Sequence, residues 1–124
     1  MQIERSPIFA EIVEKLKRQY RPIKVILYGS YARHEEHEDS DIDLLIIAVT
    51  RERPLNRFVE VKRILYDPKN RIPISPLILT PEEIASRLDS GDDFISDILA
   101  EGEILYATTR PFAGRSSQFN NTSK

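Results

Sequence analysis

Two runs decide what this chain can be: Ile23-Lys24-Val25-Ile26-Leu27-Tyr28-Gly29-Ser30 and, after the ten residues Tyr31 to Ser40, Asp41-Ile42-Asp43-Leu44-Leu45-Ile46-Ile47-Ala48. Both apolar stretches are too short and too β-branched for helices and read as strands. Gly29-Ser30 ends the first. The second is apolar throughout its latter half, which predicts a strand covered on both faces. Residues two apart in a strand point to the same face, so Asp41 and Asp43 present two carboxylates side by side while Ile42 and Leu44 face the other way.

Upstream, Ser6 and Pro7 read as an N-cap followed by proline at the first helical position, and Phe9, Ile12, Val13, Leu16 and Tyr20 recur at helical spacing. That helix should stop near Arg21-Pro22. Downstream, Pro54 opens a second helix with Leu55, Phe58, Val61, Ile64 and Leu65 as its core stripe and a basic opposite face. Ile72 to Leu79 reads as a third strand. Pro73 and Pro76 cannot donate to a ladder, which places it at a sheet edge or gives it a bulge. Thr80-Pro81-Glu82-Glu83 combines an N-cap, a first-turn proline and a capping-box glutamate, a strong start for a third helix. Gly91 breaks that helix, Asp92 caps a last one with Phe94, Ile95, Ile98 and Leu99 facing inward, Gly102 ends it, and Ile104-Leu105-Tyr106 adds a terminal strand.

Strands and helices therefore alternate in one α/β sandwich, residues 1–106, with sheet order left open. At 124 residues, 40% apolar and 31% charged, the chain has material for one domain. From residue 107 onward the Ser, Thr, Asn and Arg composition predicts a disordered basic tail. That tail carries three basic residues and no acid, which leaves 15 basic against 20 acidic residues in 1–106, a net of −5. Such a balance argues against a sequence-independent nucleic-acid surface. No run approaches a membrane span and the N-terminus lacks the apolar core of a secretory signal, so a soluble cytoplasmic protein is expected. With no cysteine, a disulfide framework, a thiolate zinc site and a thiol nucleophile are excluded, and any metal must be held largely by oxygen ligands, which favours magnesium, manganese or calcium. Neither GxGxxG nor GxxxxGK[ST] occurs.

Paired carboxylates can hold two divalent ions about 3.5–4 Å apart, which clamp the attacking and leaving oxygens of a phosphoryl or nucleotidyl transfer. Magnesium suits such hard ligands and keeps positions for phosphate oxygens. Gly29 lets backbone approach a triphosphate, and Ser30 can donate its hydroxyl and N–H from what should be a helix N-terminus. Arg33, one turn into that short helix, can reach phosphate as a bidentate donor, although a solvated arginine accounts for it equally well.

Gly29, Ser30, Asp41 and Asp43 at this spacing resemble the signature GS-x10-DxD of the minimal branch (MNT) of the DNA polymerase β-type nucleotidyltransferase superfamily. Flanks Tyr28 to Arg33 and Ser40 to Ile46 resemble the family's too, and the likeness extends more weakly over residues 77–83 and 101–106. The resemblance implies a small mixed sheet with helices packed on it. It implies transfer of a nucleoside monophosphate, AMP from ATP, to a hydroxyl, with Asp41 and Asp43 on Mg2+ and Gly29 and Ser30 on the triphosphate. Fully active members carry a third carboxylate on the strand matching residues 72–79. Here Ser75 stands at about that place and the segment holds no acid, so the likeness carries nucleotide binding further than catalysis. No acceptor-binding domain follows, so the acceptor is expected from elsewhere. The minimal branch typically accompanies a helical HEPN ribonuclease toxin, and the resemblance implies an antitoxin acting on its tyrosine hydroxyl within a hetero-oligomer, or neutralising it by binding alone.

The remaining features read more plainly. His34-Glu35-Glu36-His37-Glu38-Asp39 has no anchor for a metal cage and reads as a solvated acidic loop. Arg51, Arg53, Arg57, Lys62 and Arg63 read as a solvated helix face and its approach. Tyr28 and Tyr31 flank the glycine-serine turn as base-stacking or core residues. Asp92, Asp93 and Asp97 read as capping and first-turn acids.

Overall fold

A computed structural model describes residues 2–108, with side chains from residue 7 onward. The basic tail expected from residue 107 falls, beyond Thr108, outside the described residues. Eight elements follow in the order α1 (Gln2–Gln19), β1 (Lys24–Tyr28), β2 (Ile42–Ile47), α2 (Pro54–Leu65), β3 (Ile74–Leu79), α3 (Pro81–Asp89), α4 (Asp93–Glu101) and β4 (Glu103–Ala107). They form a four-stranded mixed sheet in the order β3-β2-β1-β4. β1 runs antiparallel to both β2 and β4, whereas β2 and β3 are parallel. A parallel pair needs a long crossover, and α2 supplies it.

The sheet is covered on both faces because β2 is apolar in both registers. Ile42, Leu44 and Ile46 pack with Ile12 and Leu16 of α1 and Val61, Ile64 and Leu65 of α2. Leu45 and Ile47 pack on the other side with Ile84 of α3 and Ile95 and Ile98 of α4. β3 lies at the sheet edge, as its prolines require. α3 has the full capping box: the Thr80 hydroxyl accepts from Glu83 N–H at 3.1 Å, and Thr80 N–H donates to the Glu83 carboxylate at 2.9 Å. Asp92 caps α4 by accepting from Ile95 N–H at 3.1 Å.

Four expectations are corrected. α1 begins at Gln2 and contains Pro7 rather than starting there; near a helix end proline sacrifices a single i→i−4 bond and its fixed φ suits the helix. Leu55 and Phe58 are exposed, Leu55 at 70%, and border a groove beside Pro76 and Leu77 of β3, while Arg57, Val61, Ile64 and Leu65 turn inward. Phe94 and Leu99 are likewise exposed, since Ile95 and Ile98 alone fill the space under α4.

The fourth concerns Arg57, whose side chain is only 6% exposed. It donates from Nη1 and Nη2 to the two Glu83 oxygens at 2.8 and 3.0 Å, from Nη1 to Ile78 O at 3.2 Å and from Nε to Glu52 O at 2.8 Å. A buried guanidinium needs this complete a set of acceptors, and the fork geometry of arginine supplies it. The pair ties α2 to β3 and α3. Lys62 Nζ also donates to Ile74 O at 2.9 Å, so two cations from α2 engage carbonyls of the edge strand.

Candidate functional site

All the elements that carry the expected site residues meet at one end of the sheet. β1 ends at Tyr28, which pairs with Asp43 near the start of β2, and Asp43 pairs on its other side with Ser75 near the start of β3. Asp41 precedes β2 by one residue. The carboxylates share the face of Leu45 and Ile47, the side covered by α3 and α4.

Gly29 follows β1 with φ +79°, a left-handed conformation that glycine adopts at no steric cost. A Cβ there would also run into the Asp43 carboxylate. Beyond it the chain makes a single hydrogen-bonded turn over residues 30–34 rather than the expected short helix. Ala32 and Arg33 N–H donate to Gly29 O at 3.1 and 3.2 Å, and Glu35 N–H donates to Ser30 O at 2.9 Å. His34, at φ +59°, turns the chain into the left-handed region before a second helical turn can form. Ser30 therefore opens a turn and not a helix.

Electrostatics single out Asp43. Burial, then the neighbouring charge of Asp41, push its carboxyl above the usual range, with Arg33 opposing. Ser75 Oγ donates to Asp41 Oδ2 at 2.9 Å, so the serine that stands where an acid was expected is bound to the first carboxylate. The donor set at the sheet end is thus two carboxylates and a hydroxyl, all hard oxygen groups suited to Mg2+. Among the described residues no group of three or more His, Cys, Asp and Glu forms a metal cluster. Arg33 Nε donates to Glu35 at 3.0 Å, with both side chains largely in solvent.

Tyr31 is buried in the core, edge-on to Phe9 at 6.2 Å between centroids. Tyr28 is half-buried, edge-on to Phe94 of α4 at 5.7 Å, and burial followed by the Asp43 charge raises its hydroxyl pKa. Both aromatics line a cleft of about 320 Å3 between the 29–34 turn and α4, with Gly29 and Arg33 on one side and Asp97 and Glu101 on the other. Asp92 is the cap it was expected to be, but Asp97 lies in the second turn of α4 and faces this cleft. Glu101 and Phe94 escaped sequence reasoning as well. The i, i+3, i+7 spacing of Phe94, Asp97 and Glu101 marks a common helix face, but nothing in the sequence says what that face meets.

Three comparisons bear on the site. The family described as Polymerase beta, Nucleotidyltransferase matches residues 10–110. A candidate protein adenylyltransferase of Methanocaldococcus jannaschii, MJ1305, is 35% identical over 104 residues, spanning 80% of this chain and 69% of that protein. Among solved structures, a candidate nucleotidyltransferase from Sulfolobus solfataricus superposes with a TM-score of 0.52 at 25% identity, over 68% of this chain and 75% of that one. A toxin-antitoxin crystallised with AMP-PNP shares the fold with a TM-score of 0.51 at 19% identity, over 82% and 75% of the respective chains.

Proposed function

From the premise that the chain belongs to the polymerase beta nucleotidyltransferase family, we propose that it transfers AMP from ATP to a hydroxyl of a partner protein. The acceptor is a tyrosine of a HEPN-type helical toxin, which makes this chain the antitoxin of a hetero-oligomeric pair. The observation that carries the reading is the close approach of a left-handed Gly29 to the Asp43 carboxylate, whose pKa burial and then the Asp41 charge raise. A backbone turn able to receive phosphate thus abuts a dicarboxylate whose mutual repulsion a cation relieves.

In this reading Asp41 and Asp43 hold Mg2+, which when bound offsets the negative charge of the reacting phosphates. The open backbone at Gly29 and the Ser30 hydroxyl and N–H receive the triphosphate, and Arg33 releases Glu35 to reach it. The acceptor hydroxyl attacks the α-phosphorus, the phosphoanhydride bond to the β-phosphate breaks, and pyrophosphate leaves. Similarity to a candidate protein adenylyltransferase supports a protein acceptor, and the shared fold with a toxin-antitoxin component supports a toxin as that protein.

The hydrogen bond from Ser75 to Asp41 favours a second reading. A serine cannot serve as an anionic base toward the acceptor, so the chain would bind nucleotide and neutralise its partner by masking alone. One experiment separates the two: the intact mass of the helical protein encoded beside this chain, after incubation with the chain, Mg2+ and each triphosphate in turn, with Asp43→Asn as control. A gain of AMP that vanishes in the control is the expected result. An unchanged mass in a stable complex selects masking.

A further inference from the structure

The cleft between the 29–34 turn and α4 has two chemically different sides. Gly29 and Arg33 lie on the turn side, where Gly29 abuts the Asp43 carboxylate of β2. Asp97 and Glu101 lie one helical turn apart on α4, and among the described residues no side-chain hydrogen bond or ion pair engages either carboxylate. Phe94 is 51% exposed although it sits edge-on to Tyr28 in the cleft wall, an apolar surface that a flat ligand could cover. At about 320 Å3 the space falls at the small end of the roughly 300–1,000 Å3 of ligand sites.

A nucleoside triphosphate has the same asymmetry, a polyanion at one end and a neutral aromatic base at the other. Two carboxylates repel phosphate along α4, which leaves the turn side for the triphosphate and the α4 side for the base. Ionised carboxylates only accept hydrogen bonds, so they favour an edge that donates. Adenine, guanine and cytosine each carry an exocyclic amino group. Uracil and thymine present a single ring N–H between two carbonyls, which face carboxylates unfavourably.

We propose that this cleft is the base subsite and that Asp97 and Glu101 select a base bearing an exocyclic amino group over uracil or thymine. The inference rests on the nucleotidyl-transfer reading and adds to it the part of the nucleotide that the glycine-serine and aspartate motif does not touch.

The test measures affinities of the full chain for ATP and UTP with Mg2+ by calorimetry, in the unaltered protein, Asp97→Asn, Glu101→Gln and the double variant. Both side chains are exposed, so the variants retain the fold. Losing two negative charges strengthens binding of every triphosphate alike, and the ratio of the two affinities is therefore the informative readout. The unaltered chain should prefer ATP by about tenfold or more, the scale of one hydrogen bond to a charged group, and the double variant should bring the ratio close to one. Equal affinities in the unaltered chain, or a preference that survives the double substitution, overturn the base subsite while leaving triphosphate binding in place. If no triphosphate binds at all, the nucleotidyl-transfer reading falls with it.

Discussion

Gly29 is under two constraints at once, a backbone angle that favours glycine and a carboxylate in the space a side chain would fill. Gly29→Ala should therefore destabilise the chain by about 2 kcal/mol, the scale of a strained left-handed residue, and abolish measurable binding of Mg2+-ATP. Denaturant titration and calorimetry check the two effects separately. Asp43 carries the opposite burden, because its raised pKa means the native state holds that proton more tightly than the unfolded chain does. Its contribution to stability is complete below the unfolded carboxylate pKa and declines as pH rises through the native one. Asp43→Asn should accordingly raise the melting temperature at pH 7 without metal, and should remove the further rise that Mg2+ with ATP confers on the unaltered chain. A melting temperature that falls in the variant would contradict this account of the site's electrostatics. The glycine, the serine and both aspartates of the candidate site were legible in the sequence because the backbone conformation and strand alternation that mark them are local.

At the scale of elements, the edge strand β3 is closed to further pairing from three directions. Pro76 has no N–H to offer, and the carbonyls of Ile74 and Ile78 accept from Lys62 and Arg57 of α2. The Arg57–Glu83 pair then joins this helix and strand to α3. Glu83 has its pKa lowered, first by the hydrogen bond from Arg57, so the stability it contributes is present above the ordinary glutamate range and is lost as pH falls through its lowered value. Glu83→Gln should cost about 2 kcal/mol at pH 7, less than a fully buried pair because Glu83 is 38% exposed, and should flatten the acid limb of the stability curve. Urea melts between pH 3 and 7 measure both. None of this could be read from the α2 sequence, where Arg57 is one of a run of cations and its burial depends on a glutamate 26 residues away. Helical periodicity does identify Val61, Ile64 and Leu65 as core, but it equally admits Leu55 and Phe58, which the structure leaves exposed beside the edge strand. Leu44→Ala in the sheet should cost about 3 kcal/mol or more, and Leu55→Ala on α2 should stay within about 0.5 kcal/mol, a contrast that thermal unfolding will show.

For the molecule as a whole, the helices divide by face, α1 and α2 on one side of the sheet and α3 and α4 on the other, and the candidate site opens on the second side. Gly102 allows α4 to turn straight into β4, since a Cβ there would meet Ile26 and the Ile98 carbonyl, and this close approach holds α4 beside the turn that follows Gly29. Among the described residues no helix is long and apolar enough to cross a membrane. The amino-acid sequence by itself determined the alternation of strands and helices, the restriction of β3 to an edge or a bulge, the capped starts of α3 and α4 and the pairing of Asp41 with Asp43, because period, caps and proline act within a few residues. Tertiary structure alone decided that Ser75 would bond Asp41, that Arg57 would be buried, and that Asp97 and Glu101 would face Gly29 across a cleft. Each of those depends on the parallel register of β2 with β3, or on which face of a helix meets the sheet, and such choices are settled by the summed packing of distant segments rather than by any local preference.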